Sequence, residues 1–299
     1  MEKYSEKTLN TIISYLPKRI ASAFENAVFA HPVEEIRLRC ARQPQIVTLC
    51  GDMLLECGAF TREEAGELLA KLCRRSVYSR EEELKRGFVT IEGGVRVGVC
   101  GRPVMEGGSI VRLTDITCFN FRIAREVIGC AESIMPQITE HGKPVSSLIV
   151  SPPGGGKTTL LRDMIRCLSS GIGCMPVKVG LADERGELAG VVDGAPSFDT
   201  GPRTDVMEFA PKAEAISMFV RSMSPDVIVT DEIGGADDAE AIADAARCGA
   251  AVIASAHASS ARELNERSGL AEIVSTGVFR RILILRRTGS MLHICPVKL

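Results

Sequence analysis

The chain has 299 residues, of which 45% are hydrophobic and 25% charged. This composition is typical of a soluble globular protein and excludes a disordered tail, a coiled coil and a collagen-like chain. The net charge of −2, from 36 basic and 38 acidic residues, disfavours nucleic-acid binding through bulk electrostatics. The 11 cysteines form no C-x-x-C pair, and the amino terminus has no apolar secretory segment, so we expect reduced thiols in a cytoplasmic protein.

Residues 1–144 are predicted to form a smaller α+β domain. Apolar residues at helical spacing predict a helix over residues 8–16, ended by Pro17. A capping box from Thr61 to Glu64 opens another helix. Strand-like segments follow at residues 88–91, 95–99, 110–113 and 119–123.

Residues 145–299 are predicted to form an α/β domain with a parallel sheet, because strand and helix patterns alternate there. The predicted strands are 147–151, 177–182, 227–230 and 251–256, followed by a hairpin from 278–285 and 291–297. The predicted helices are 157–168, 212–223, 236–248 and 260–267. The glycine- and proline-rich residues 190–211 are expected to form a long loop.

A glycine-rich segment between a predicted strand and a predicted helix is the strongest signal in the chain. Backbone N–H groups of such a loop face an anion, and the next helix adds its positive amino end. We predict a phosphate loop in which Lys157 reaches the β- and γ-phosphates and the Thr158 hydroxyl ligates Mg²⁺. Ser151 stands where the usual G-x-x-x-x-G-K-[ST] pattern has its first glycine. The predicted nucleotide-binding residues are Ser151, Pro152, Pro153, Gly154, Gly155, Gly156, Lys157, Thr158 and Thr159.

Two carboxylates follow the apolar strand predicted at residues 227–230. Asp231 and Glu232 are expected at the carboxyl edge of the sheet, beside the phosphate loop. We predict that Asp231 holds Mg²⁺ and that Glu232 orients or deprotonates the attacking water. Their placement favours a RecA-like P-loop NTPase core, in which an extra strand separates the two nucleotide motifs.

Two further polar residues follow predicted strands. His257 ends the strand after Asp231 and Glu232, so we predict a polar sensor near the γ-phosphate rather than an ordinary structural histidine. Glu184, beside Asp183, is predicted to extend the catalytic network of metal and water. The alternative for that acidic pair is a solvated turn with local ion pairs.

A ring-forming ATPase needs an arginine from a neighbouring subunit to neutralise charge in the transition state. The chain offers several candidates but no pattern that selects one. They are Arg96, Arg102, Arg112, Arg122, Arg125, Arg203 and Arg221.

Longer segments resemble the stage III sporulation protein AA family. In the second half these are Pro152–Leu160, Asp183–Glu187, Pro211–Glu214 and Arg221–Gly234. In the first half they are Glu35–Arg39, Arg96–Gly101 and Phe121–Glu126, so the resemblance covers most of the chain. That family is itself similar to the secretion and pilus-retraction ATPases, which work as hexameric rings.

The resemblance implies a Mg²⁺-dependent ATP hydrolase of secretion-motor type that powers or gates a membrane channel complex during sporulation. It implies a homo-oligomeric hexameric ring on the cytoplasmic side of the mother cell, docked on membrane-embedded channel proteins through the first domain. Glu184 would belong to the family's acidic box, Glu232 would be its catalytic glutamate, and His257 would belong to its histidine box. Two alternatives stay open: a nucleic-acid-dependent P-loop ATPase, and a nucleotide-binding scaffold without turnover.

Overall fold

The computed structural model describes residues 6–27, 29, 33–48, 50–73, 81–91, 95–123, 126–192, 194–266, 268–288 and 291–297. The chain divides into two compact units. The first comprises Met1–Arg125 with Val192–Ser197, and the second comprises Glu126–Val191 with Phe198–Leu299. In the described ranges, no helix has both the length and the apolar character needed to span a membrane.

The first unit is built on an antiparallel sheet with helices packed against it. Its helices are α1 (Glu6–Tyr15), α2 (Lys18–Asn26), α3 (Arg62–Leu72) and α4 (Glu81–Lys85). Its strands are β1 (Val33–Arg39), β2 (Gln45–Thr48), β3 (Gly51–Leu54), β4 (Phe88–Ile91), β5 (Val95–Glu106) and β6 (Ser109–Arg122). The strand order is β3-β2-β1-β6-β5-β4.

One hydrophobic core holds this unit together. Ile12 of α1 and Leu68 of α3 are buried with Ile36 of β1 and Phe121 of β6. The two segments predicted at 110–113 and 119–123 are parts of one continuous strand, β6. It pairs with β5 through a turn at Gly107-Gly108, where both φ angles are positive (56° and 82°), as a tight hairpin requires.

The second unit alternates strands with helices. Its helices are α5 (Lys157–Ser170), α6 (Lys212–Ser222), α7 (Ala236–Arg247), α8 (Ala261–Glu266) and α9 (Ser268–Ser275). Its principal strands are β9 (Ser147–Ser151), β10 (Val179–Asp183), β13 (Thr204–Glu208), β14 (Val227–Thr230), β15 (Ala251–His257), β16 (Arg281–Thr288) and β17 (Met291–Val297). The short strands β7 (Thr139–Glu140) and β8 (Lys143–Pro144) also belong to this unit, whereas β12 (Ala195–Pro196) belongs to the first unit and β11 (Val191–Val192) lies at the boundary in the sequence.

The principal strands form one seven-stranded sheet in the order β13-β10-β14-β15-β9-β16-β17. Neighbouring strands pair in parallel, except that β17 returns antiparallel to β16. β15 lies between β9, which leads into the glycine-rich loop, and β14, which leads to Asp231. The predicted fold class is therefore confirmed: an α/β P-loop core with an extra strand between the two motifs, preceded by an α+β unit.

The prediction of a long loop over residues 190–211 is partly wrong, because this segment contains the edge strand β13. This strand pairs in parallel with β10, from Val179 opposite Thr204 to Asp183 opposite Glu208. Its sequence, TDVME, has only two apolar residues, and none of the five is fully buried. An edge strand needs no continuous apolar run, so the pattern gave no strand signal.

The division between the units also differs from the predicted boundary at residue 144, since residues 126–144 belong to the second unit. The carboxylate of Asp163 in α5 accepts the N–H groups of Gly129 (3.0 Å) and Ala131 (2.7 Å). Ile134 and Ile138 are buried in the same core as the apolar residues of α5. These contacts attach the segment to α5 before β9 begins.

Asp163 is buried at 3% exposure and forms an ion pair with Arg166, one turn along α5 (2.7 Å). We expect Asp163→Ala to lower the free energy of unfolding by about 3–5 kcal/mol, because it leaves two N–H groups without their acceptor and leaves the buried Arg166 guanidinium with Glu132 as its remaining acidic partner. Urea denaturation measures this change. The matched control is Asp244→Ala, which removes an exposed Asp–Arg pair of the same spacing and should change stability by less than about 1 kcal/mol. Equal effects of the two substitutions would contradict the buried role.

Candidate functional site

The carboxyl ends of four parallel strands meet at one edge of the large sheet. β9 ends at Ser151, β10 at Asp183 and β15 at His257, while Asp231 directly follows β14. Ser151 and His257 are direct partners in the pairing of β15 with β9. Polar residues from distant parts of the sequence therefore lie together at the edge where open α/β sheets bind ligands.

The glycine-rich loop crosses this edge between β9 and α5. Gly154 and Gly156 have φ angles of 72° and 90°, a left-handed conformation that favours glycine. At Gly155 a side chain has no room, because an added Cβ would lie 2.8 Å from the Ser151 Cβ. The loop thus leads directly into the amino end of α5, where free N–H groups and the helix dipole favour an anion. The remaining predicted loop residues, Pro152, Pro153, Thr158 and Thr159, lie on the same loop and first helical turn.

Lys157, the first residue of α5, is 5% exposed and turns its ammonium back towards the sheet edge. The Nζ donates to the Ser151 carbonyl (3.0 Å) and hydroxyl (3.1 Å) and to the Pro152 carbonyl (3.3 Å). It also lies 2.9 Å from Nδ1 of His257. Burial lowers the pKa of Lys157, while the nearby Glu232 carboxylate opposes that shift.

His257 connects Lys157 to Glu232. An ammonium can only donate, so Nδ1 of the imidazole accepts from Lys157. The neutral ring then carries its proton on Nε2, which lies 3.0 Å from Oε1 of Glu232 and donates to it. Three of the four predicted catalytic residues therefore form one hydrogen-bonded chain, from the ammonium through the imidazole to the carboxylate, and the fourth, Glu184, lies outside it.

Glu232 has an unusual backbone conformation, with a φ of 43°. Its N–H donates to the Ser255 hydroxyl (3.1 Å), and the N–H of Ile233 donates to the Ser255 carbonyl (2.8 Å). Both bonds tie the chain after β14 to β15 and hold Glu232 in the left-handed region. Non-glycine residues adopt that region at an energetic cost, and such residues cluster at functional sites.

Asp231, in contrast, is 2% exposed. Burial raises the pKa of Asp231 to about 7, and the neighbouring carboxylate of Asp183 shifts it in the same direction, while the ammonium of Lys212 opposes the shift. A buried carboxylate among other acidic groups is a fitting ligand for a cation. In the described ranges, no group of three or more acidic, histidine or cysteine side chains could hold a metal by itself. Mg²⁺ commonly takes one or two protein ligands and completes its shell with water and phosphate oxygens.

The acidic pair after β10 has two different environments. Asp183 is fully buried, and its carboxylate accepts the N–H groups of Glu187 (2.9 Å), Leu188 (2.8 Å) and Ala189 (2.8 Å). The Asp183 carboxylate therefore stabilises the turn that follows β10. Glu184 points elsewhere and forms an ion pair with Lys212 at the start of α6. The structure thus brings Glu184 to the same sheet edge but gives it a partner of its own.

One arginine at this edge was missed by the sequence analysis. Arg185 forms an ion pair with Oε2 of Glu232. The only available signal was its position beside Asp183 and Glu184. Among the arginines considered from sequence, Arg203 directly precedes β13, and Arg221 lies in the last turn of α6, before β14. Both therefore belong to the amino edge of the sheet, opposite the phosphate loop. Arg96, Arg102, Arg112 and Arg122 lie on β5 and β6 of the first unit, and Arg125 lies outside the described residues.

The strand order and the glycine-rich loop define a P-loop fold, which the chain shares with solved structures of ATPases. The structure superposes on the pilus retraction motor PilT with bound ADP at a TM-score of 0.61 and 18% identity, covering 93% of this chain and 80% of that chain. It superposes on the ATPase DotB of Legionella pneumophila at a TM-score of 0.57 and 15% identity, covering 88% and 76%.

The sequence places the protein more closely. The chain belongs to the family described as sporulation stage III, protein AA, whose model matches residues 5–296. It is 40% identical to stage III sporulation protein AA of Bacillus subtilis (strain 168) over 282 residues, which covers 93% of this chain and 91% of the relative. The family resemblance inferred from the motifs is thus confirmed.

The raised pKa of Asp231 predicts a pH-dependent loss of stability in the metal-free protein. The unfolded carboxyl titrates near 3.8 and the folded one near 7, so between these values the folded state binds more protons. The free energy of unfolding therefore falls as the pH rises through this window, by at most about 4 kcal/mol. Asp231→Asn has no such charge to bury, so its stability relative to the parent should increase between pH 5 and pH 8.

Chemical denaturation in EDTA at both pH values measures this difference. Asp244→Asn, which changes a half-exposed carboxylate on α7, is the control and should show no such trend. A constant offset between Asp231→Asn and the parent at both pH values would show that Asp231 does not titrate in this window.

Proposed function

We propose that this chain is a Mg²⁺-dependent ATP hydrolase of secretion-motor type. The observation that carries the proposal is the hydrogen-bonded chain from Lys157 through His257 to Glu232 at the mouth of the phosphate loop. It brings together a cation for the phosphates, a polar sensor and a carboxylate for water, which are the parts that phosphoryl transfer to water requires.

The reaction needs one bond to form and one to break. The oxygen of a water forms a bond to the γ-phosphorus, the bond from that phosphorus to the β,γ-bridging oxygen breaks, and ADP leaves. Glu232 orients the water and accepts its proton, and His257 holds the carboxylate through Nε2. Lys157, which donates to the carbonyls of Ser151 and Pro152, turns its N–H groups to the phosphates. The N–H groups of the loop hold the remaining phosphate oxygens.

Thr158 and Asp231 are the residues we propose to hold Mg²⁺. When bound, this ion would supply positive charge that stabilises the negative charge on the phosphate oxygens. Thr158 follows Lys157 in the first turn of α5, and Asp231 directly follows β14 at the same edge. The buried, acidic surroundings of Asp231 support the assignment, because a cation relieves the unfavourable charge.

We further propose that the protein works as a hexameric ring that docks on membrane-embedded channel proteins at the mother-cell side during sporulation. The family membership supports the sporulation role, and the fold shared with a pilus retraction motor supports a motor-like assembly. In this proposal the first unit, Met1–Arg125 with Val192–Ser197, serves oligomerisation and docking, the role expected from the sequence for residues 1–144. The net charge of −2 disfavours nucleic acid as the partner.

Phosphate release with Mg-ATP, measured across a range of protein concentrations, tests the proposal. We expect Glu232→Gln to keep ATP affinity and to lower turnover by about 10²–10⁴-fold, because the proton acceptor is lost.

Lys157→Ala should weaken ATP binding by about 10–100-fold, since it removes charge-assisted hydrogen bonds to phosphate. The matched control is Glu240→Gln, on the exposed side of α7, which should turn over like the parent.

Turnover that rises cooperatively with protein concentration would support sites completed between subunits. Turnover that is unchanged in Glu232→Gln would remove that residue from its role. ATP binding without turnover in the parent would instead favour the nucleotide-binding scaffold.

A further inference from the structure

We propose that Arg185 is a catalytic arginine that acts within its own subunit. It pairs with Glu232, and when ATP binds it transfers its contact to the γ-phosphoryl group. This inference rests on the proposed ATP hydrolysis and adds a residue and a means of control to the same site.

The contacts of Glu232 are the first observation. Its Oε1 accepts from Nε2 of His257 at 3.0 Å, and its Oε2 is paired with Nη1 of Arg185. Both carboxylate oxygens therefore have a partner in the protein. Each oxygen has two lone pairs, and the guanidinium occupies one of those on Oε2, so Arg185 competes with an attacking water for that oxygen.

The chain of contacts also places Arg185 beside the reacting group. Lys157 lies at the phosphate-loop end of the hydrogen-bonded chain that runs through His257 to Glu232. Arg185 contacts Glu232 at the other end of that chain. A γ-phosphoryl group held by Lys157 and attacked by a water on Glu232 has to lie between these two residues. The guanidinium of Arg185 is paired with Glu232 and therefore borders the space that the γ-phosphoryl group would occupy.

The turn that carries Arg185 is held from three sides. The buried carboxylate of Asp183 accepts three consecutive N–H groups, beginning with that of Glu187. The carbonyl of Glu187 accepts from Nε (2.8 Å) and Nη2 (2.6 Å) of Arg162, a buried residue of the phosphate-loop helix α5. Gly186 has a φ of 65°, and an added Cβ would lie 2.8 Å from the Phe209 ring. The backbone of Arg185 is thus fixed relative to the phosphate loop.

The side chain of Arg185, by contrast, keeps room to move. Half of it is exposed, compared with 23% for Glu232. A guanidinium has five N–H donors in a planar fork, and the pairing through Nη1 leaves others for phosphoryl oxygens. A fixed backbone with a mobile charged end suits a group that changes partners at one site.

During hydrolysis the transferred group spreads negative charge over its three equatorial oxygens. Arg185 stabilises that charge while its departure frees Oε2 of Glu232 to accept the proton of the attacking water. Arg185 keeps its own protons throughout, so the overall balance stays ATP and water to ADP, phosphate and one proton.

The experiment compares Arg185→Gln and the charge-preserving Arg185→Lys with the parent. We expect Arg185→Gln to lower turnover at least 100-fold while ATP affinity changes less than about 5-fold, with Arg185→Lys recovering only part of the loss, since a lysine lacks the planar fork. Trapping of Mg-ADP with aluminium fluoride, which mimics the transferred group, should be lost in Arg185→Gln. The control is Arg262→Gln, which removes an exposed pair with Glu266.

Mixed oligomers separate action within a subunit from action on a neighbour. Arg185→Gln and Lys157→Ala chains are combined before assembly. Turnover regained in the mixture would mean that Arg185 of one chain serves the phosphate loop of the next, and would overturn the proposal. No recovery is the expected result. Parent-like turnover and trapping in Arg185→Gln would also overturn it while leaving ATP hydrolysis intact, whereas a parent without turnover would remove the proposed function and this inference together.

Discussion

The candidate site depends on the parallel pairing of β15 with β9, which sets His257 directly opposite Ser151. This register brings the imidazole to the entrance of the glycine-rich loop, where Lys157 contacts both residues. In a sheet, a shift by one residue turns every side chain to the opposite face, so a slipped register would remove His257 from the loop. Because both strands are fully buried along most of their length, burial itself opposes such a slip.

Buried charges at this edge are tolerated because nearly all of them have partners. Asp183 is satisfied by three N–H groups, Arg162 by the Glu187 carbonyl, and Lys157 by main-chain oxygens and an imidazole. Separating one of these groups from its partner would leave a buried charge uncompensated. The paired groups therefore hold one another in position. Asp231 is the exception, with its pKa raised to about 7, and that imbalance is what a bound cation would remove.

The phosphate loop and the residues that follow β14 and β15 could be predicted from sequence because short motifs and apolar runs determine them locally. β13 could not, since an edge strand with the sequence TDVME acquires its conformation from pairing with β10. The segment 126–144 carried no signal for its attachment to Asp163, and Arg185 carried none for its contact with Glu232. Both contacts join residues that are distant in the sequence and come together only in the folded protein. The pattern of residues within one segment therefore contains no information about them.

Asp231 and Glu232 are adjacent carboxylates with opposite surroundings, and the backbone accounts for the difference. Asp231 leaves β14 among buried acidic groups, whereas the left-handed φ of 43° at Glu232 turns the chain towards β15. Without that turn, consecutive residues of an extended chain would point to opposite sides of the sheet. The strained conformation instead brings Glu232 to His257 and Arg185 at the exposed mouth of the site. The two carboxylates thereby become suited to different roles, Asp231 to binding a cation and Glu232 to contacting a water. Different surroundings commonly give two carboxylates of one site different roles in this way.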